Sequence, residues 1–171
     1  MGGMGVPRWG LVVTVLAVVS VGAVNAGTAS AATVKPRTVL VQDLNKVRRQ
    51  FGLGTVRPSS LLHLVALHHS DDMINRDYFS HTSPSGRTFG ERIISSGFVT
   101  GYSWIGGETL AWGTGTLSAP VTTVKAWLGS PDHRAILLSP RWTRIGIARA
   151  CGRFLGHVGA CVWTADWVER W

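Results

Sequence analysis

Apolar positions recur with a helical period at the start of the chain's main body. In "TVLVQDLNKVRRQFGLG", Leu40, Leu44, Val47 and Phe51 fall at i, i+4, i+7 and i+11 and share one face, with Gly52 as the C-terminal cap. A second stripe runs through Leu62, Val65, Ala66, His69 and Met73 behind Ser59 or Ser60 as N-cap. That stripe turns His69 inward and leaves His63 and His68 off it. "FGERIISSGF" reads as a short apolar helix, and "GYSWIGGETLAWGTGTLS" as a strand or loop whose glycines allow close packing. Ser118 is expected to cap a helix over "APVTTVKAWLG" with Val121, Val124 and Trp127 or Leu128 inward. Ser130-Pro131 then opens a further turn, with Ser at the cap, Pro first and His133 third.

The period changes to two near the end. "TRIGIARAC" and "ACVWTADW" read as two strands of a hairpin turning near Leu155-Gly156-His157. If Cys151 faces Cys161, Ile145 and Ile147 lie on one face with Trp163 and Trp167. Helices followed by a terminal antiparallel hairpin argue an α+β fold with helices packed on a small sheet.

Ahead of this body, residues 1–31 carry Arg8, then an apolar run, then small residues ending in Ala29-Ser30-Ala31. That order is expected of a cleaved signal peptide, with the mature protein secreted to the extracellular side. Residues 32–37 read as a short tether, and the remainder is long enough for one compact domain. In an exported chain the two cysteines, Cys151 and Cys161, are expected to form a disulfide.

The formal net charge is +8, and the leader takes only Arg8 with it. Such a balance suits loose association with anionic envelope components. The basic residues are scattered and no aromatic–basic platform recurs, so no nucleic-acid partner is expected. The eight tryptophans sit mostly at core spacings.

The order of segments carries more than any one of them. "LNKVRRQFGL", "ALHHSDDM", "YFSHTSPSG", "ERIISSGF", "GGETLAWG", "AWLGSPDHRAIL" and "RIGIARA…VWTADW" together resemble the bacterial, SCP-like extracellular branch of the CAP family, over residues 38–168. CAP stands for cysteine-rich secretory protein, antigen 5 and pathogenesis-related 1. The resemblance implies a three-layer α-β-α sandwich with a central cavity lined by two histidines and two glutamates. It also implies that the histidine pair can hold a divalent ion such as Zn2+ or Ca2+. The first histidine falls on His81, the glutamate of the "GEN" motif on Glu108 and the second histidine on His133. The second glutamate position, three after Trp127, is Ser130. Thr109 and Ile136 stand where relatives carry asparagine.

Two readings of this set stay open. His81, His133 and Glu108 offer a three-ligand zinc site with an open fourth position, and with it a metal-dependent peptidase using Glu108 as ligand or base. Alternatively they form a structural polar network. His69 is either a substitute fourth member of the cavity or a satisfied core histidine. Ser130 reads as a helix cap rather than a nucleophile. Asp71 and Asp72 read as structural or solvated, Asp166 as paired with a donor, and Arg134 as a surface or loop-pinning cation. The expectation is a secreted, monomeric, non-catalytic module whose ligand is a lipid or sterol or an anionic envelope component.

Overall fold

The computed structural model describes residues 34–171, so the expected leader (1–31) and residues 32–33 of the tether lie outside the described part. Helix α1 spans Pro36–Gln50, strand β1 Arg57–Pro58, α2 Ser60–Arg76, α3 Phe89–Ser95, β2 Trp104–Thr114, α4 Pro120–Gly129, α5 Pro131–Leu137, β3 Arg144–Phe154 and β4 His157–Arg170. Proline begins α1, α4 and α5, where its fixed φ suits the first turn and its missing N–H is no loss. The tether is accordingly shorter than 32–37, because Pro36 and Arg37 are already helical. At the other end β4 carries the domain to Arg170.

The strands order as β1-β3-β4-β2, with the three long strands antiparallel and the two residues of β1 adding in parallel beside β3. The β3–β4 turn is Leu155-Gly156, both at positive φ, as a two-residue hairpin of primed type requires. Leu155 is held there by its N–H donating to Asp77 Oδ1 at 2.5 Å. Cys151 and Cys161 are direct partners in the β3–β4 register and form the disulfide.

Side-chain alternation builds the layers. One sheet face presents Ile145, Ile147, Trp163, Ala165 and Trp167 to Leu40 and Leu44 of α1 and Val124 and Trp127 of α4. The opposite face presents Leu110, Val162 and Val168 to Leu62, Val65 and Met73 of α2. Helices therefore cover both faces of one sheet, giving the three-layer α-β-α sandwich. The approach of α2 is very close at Gly146, where an added Cβ would lie 2.2 Å from the backbone carbon and oxygen of Leu62. Buried indoles do not go unpaired: Trp127 Nε1 donates to Leu110 O and Trp163 Nε1 to Ser118 O, each at 2.9 Å.

The second helix matches its stripe in full, since Leu62, Val65, Ala66, His69 and Met73 are all buried. Three readings at helix ends need correction. Phe51 lies just past the end of α1, out of helical register, and is half exposed beneath Arg134; Arg48 takes the buried position and donates to the carbonyls of Gly54, Leu137 and Ser139. Ser118 ends a separate 3-10 turn, Gly115–Ser118, so Ala119 rather than Ser118 precedes α4, and Val121 in its first turn faces solvent. Ser130 does occupy the N-cap position of α5, but its side chain makes no capping hydrogen bond.

Candidate functional site

Edge strand β2 carries Glu108 on the sheet face covered by α2. The side chain is buried (4 % exposed), and both carboxylate oxygens are engaged. Oε1 lies 2.7 Å from His81 Nδ1, and Oε2 accepts from an Arg92 terminal nitrogen at 2.7 Å. The same Arg92 nitrogen donates to His81 O at 3.0 Å, and its other terminal nitrogen to Arg87 O at 3.2 Å. One buried guanidinium thus joins α3, the His81 loop and β2.

Local sequence explains why Arg92 can do this. Thr88 and Glu91 form a reciprocal capping box at the start of α3, which fixes the helix entry. Arg92 then points inward beside the fully buried Ile93. Burial alone would raise the Glu108 pKa; the hydrogen bond from His81 and the Arg92 charge outweigh it and hold the group below the usual range.

His69 is buried on α2, with Nε2 3.0 Å from the Ser80 carbonyl and no partner for Nδ1. Burial lowers its pKa, opposed in part by the Glu108 charge. His81, by contrast, sits at the rim with its side chain 54 % exposed. His133, in the first turn of α5, is half-buried; its pKa is lowered by burial and then by the nearby His81. The structure therefore brings His81 and Glu108 into direct contact, with His69 within electrostatic reach of Glu108 and His133 within that of His81.

Two further residues complete the site. Arg92 was not singled out by sequence reasoning; its signal was a lone cation on a short helix otherwise rich in apolar residues. Asp166 is fully buried and is the direct β4 partner of Glu108 in the β2 ladder. The expected donor for Asp166 is absent: no donor group lies within hydrogen-bond distance of either oxygen, and its polar neighbour is the Glu108 carboxylate, which it can meet only by sharing a proton. Burial, then the Glu108 charge, raise its pKa well above the ordinary aspartate value, against the pull of Arg92.

The donor set does not fit the expected three-ligand zinc site. Both Glu108 oxygens and His81 Nδ1 are hydrogen-bonded within the clasp and Glu108 is paired with the Arg92 guanidinium, so only His81 Nε2 and His133 are left without such partners, one ligand short of the three. Among the described residues, no group of three or more His, Cys, Asp or Glu side chains is arranged to hold a metal. Asp72 accepts from Tyr78 Oη at 2.5 Å and from Arg76, as a structural carboxylate does. The positions that depart from the family pattern have local roles. Thr109 Oγ1 accepts from Trp167 Nε1 at 3.2 Å, and the Ile136 carbonyl accepts from Trp142 Nε1 at 2.6 Å.

A three-layer sandwich with this histidine–glutamate contact on its edge strand can be compared with known proteins. The family model described as "Cysteine-rich secretory protein family" matches residues 41–166, most of the chain. The chain belongs to the CAP family.

Among curated CAP relatives it is 31 % identical over 133 residues to the uncharacterized protein YkwD of Bacillus subtilis, covering 77 % of this chain and 46 % of that protein. It is 28 % identical over 127 residues to the uncharacterized membrane protein YlbC of the same organism, covering 74 % of this chain and 32 % of YlbC. The chain thus spans less than half the length of these two relatives. Among solved structures it superposes on an extracellular protein containing an SCP domain from Bacillus anthracis, with a TM-score of 0.64 and 25 % identity. That match covers 78 % of this chain and 40 % of the other. An outer surface protein of Borrelia burgdorferi shares the fold with a TM-score of 0.66 at 21 % identity, covering 78 % and 92 % of the two chains. No helix among the described residues is long and apolar enough to cross a membrane.

Proposed function

We propose that this CAP domain works outside the cell as a monomeric, non-catalytic binding module, delivered by a cleaved signal peptide and associated with lipid or anionic envelope components. The observation that carries this reading is the double engagement of Glu108. A general base must come within hydrogen-bond reach of its substrate, and this carboxylate is buried with each oxygen already hydrogen-bonded, one to Arg92 and one to His81. The neighbouring Asp166 is fully buried, and burial raises its pKa, which disfavours the ionised form a base would need. Ser130 lies at a helix start with no ion-paired base to activate it. The polar centre is suited to clasp a loop and a helix to the sheet edge and so to shape the surface above it.

The positive balance and the extracellular or outer-surface character of the structural relatives support the envelope assignment. Co-sedimentation of the purified chain with vesicles tests it. Binding to vesicles containing a phosphate-rich anionic lipid, falling with added salt, is the expected result. Turnover of a general peptide library by protein purified without chelator and supplied with Zn2+ or Ca2+, with no vesicle binding, would replace this reading with an enzymatic one.

A further inference from the structure

Behind the Glu108 clasp, two adjoining cavities open between α2 and the segment 83–96. The first, of about 260 Å³, is walled by Leu61, Leu64 and Val65 of α2 and closed by Ser95 and Ser96. The second, of about 230 Å³, is walled by His69, Asp72 and Arg76 of α2 and by Ser83 and Ser85 of the loop. His68, Arg87 and Arg92 line both, so one space runs from an apolar end to a cationic end.

The cationic end holds unspent hydrogen-bonding capacity. Arg92, 6 % exposed, has its Nε buried without a partner, and His69, 1 % exposed, has Nδ1 in the same state. Arg92 is balanced by Glu108 and Arg76 by Asp72, whereas Arg87 makes no ion pair among the described residues. The surplus charge is therefore positive. Because His69 Nε2 faces a carbonyl it must donate, so Nδ1 of the neutral ring is an acceptor that lacks a donor. A ligand suited to this end offers several acceptors to guanidinium groups and one donor to an imidazole. A singly protonated phosphate does both; a sulfate satisfies only the arginines. At the apolar end Leu61 and Leu64 are 45 % and 46 % exposed side by side on α2, an apolar wall with nothing packed on it.

We propose that the two cavities form one site for a phosphate-headed amphiphile, with the head group among Arg76, Arg87, Arg92 and His69 and the apolar chain against Leu61, Leu64 and Val65. Neither His81 nor Glu108 lines the site, and Arg92 is shared between it and the Glu108 clasp. The site gives the binding reading above a location and a ligand chemistry, and it rests on that reading.

Calorimetric titration of the purified chain with inorganic phosphate, hexyl phosphate and hexyl sulfate tests it at about pH 6, where an alkyl phosphate is roughly half protonated. Hexyl phosphate is expected to bind at least tenfold more tightly than inorganic phosphate, since each buried methylene contributes roughly a threefold to fourfold gain. It is also expected to bind more tightly than hexyl sulfate. Arg76→Ala and Arg87→Ala, both at exposed positions that the fold tolerates, should each weaken hexyl phosphate about tenfold. Leu64→Asp should remove the preference for hexyl phosphate over phosphate. Equal affinity for phosphate and hexyl phosphate would overturn the proposal in favour of a free-ion site. Hexyl phosphate binding unchanged by Arg87→Ala would overturn the location. If vesicle binding persists while alkyl phosphates bind nowhere, the pocket is wrong and the binding reading stands; loss of both removes both.

Discussion

Asp166 faces Glu108 directly across the β2–β4 ladder, and their surroundings push the two buried carboxyl groups in opposite directions, Glu108 down and Asp166 up. Arg92 makes the difference, because its guanidinium bonds Glu108 and not Asp166. With one cation hydrogen-bonded to only one of two buried acids, the unpaired acid is the one whose charged form burial disfavours.

Asp166→Asn tests this, because it keeps the shape of the side chain and removes the titrating group. The folded pKa of Asp166 lies above its unfolded value, so between about pH 4 and that raised value the folded state holds more protons than the unfolded state. Asp166 therefore makes stability fall as pH rises through this window. The variant should lose that slope, matching or exceeding the parent at pH 7 and falling behind it toward pH 4. Urea unfolding midpoints across this range provide the check.

His69 works in the opposite sense. Its folded pKa is lowered, so below about pH 6.5 the unfolded chain takes up a proton that the folded chain resists. Its contribution is present above that value and is lost as pH falls. His69→Gln should flatten the loss of melting temperature between pH 7 and pH 5 that the parent shows.

Arg92→Met leaves the buried Glu108 charge without its cation. The expected loss is about 3–5 kcal/mol, as for a broken buried ion pair. The double change Arg92→Met with Glu108→Gln should recover a large part of it, because both buried charges leave together. A double-mutant cycle by urea unfolding reads the coupling directly.

Gly146→Ala asks the α2–sheet contact to absorb a methyl group 2.2 Å from the Leu62 backbone. Main chain cannot yield as a side-chain tip can, so a loss of at least about 3 kcal/mol is expected, with α2 displaced from the sheet. Thermal unfolding followed by circular dichroism measures it. Ser130→Ala is the contrasting case: its hydroxyl makes no capping bond, so the usual capping loss of about 1 kcal/mol should be missing.

Periodicity in the sequence was enough to determine the α2 stripe and, once Cys151 is set opposite Cys161, the face shared by Ile145, Ile147, Trp163 and Trp167. Each follows from a repeat of 3.6 or 2 residues, and burial of apolar area enforces such repeats wherever an element covers a core. The disulfide itself followed from there being two cysteines in a chain expected to be exported. Helix ends escaped this logic at Phe51 and Ser118, because a terminal residue leaves helical register as soon as the chain turns. The site was only partly legible. Its segments resembled the CAP pattern at His81, Glu108 and His133, but the state of Glu108 depends on Arg92, sixteen residues earlier on helix α3. Asp166 likewise carries no mark of its raised pKa in "TADW"; its strand register places it opposite Glu108, and the covering helix removes water. Polar partnerships across the sandwich are decided by packing, since the free energy of a buried charge depends on which neighbours the folded chain brings within hydrogen-bond distance.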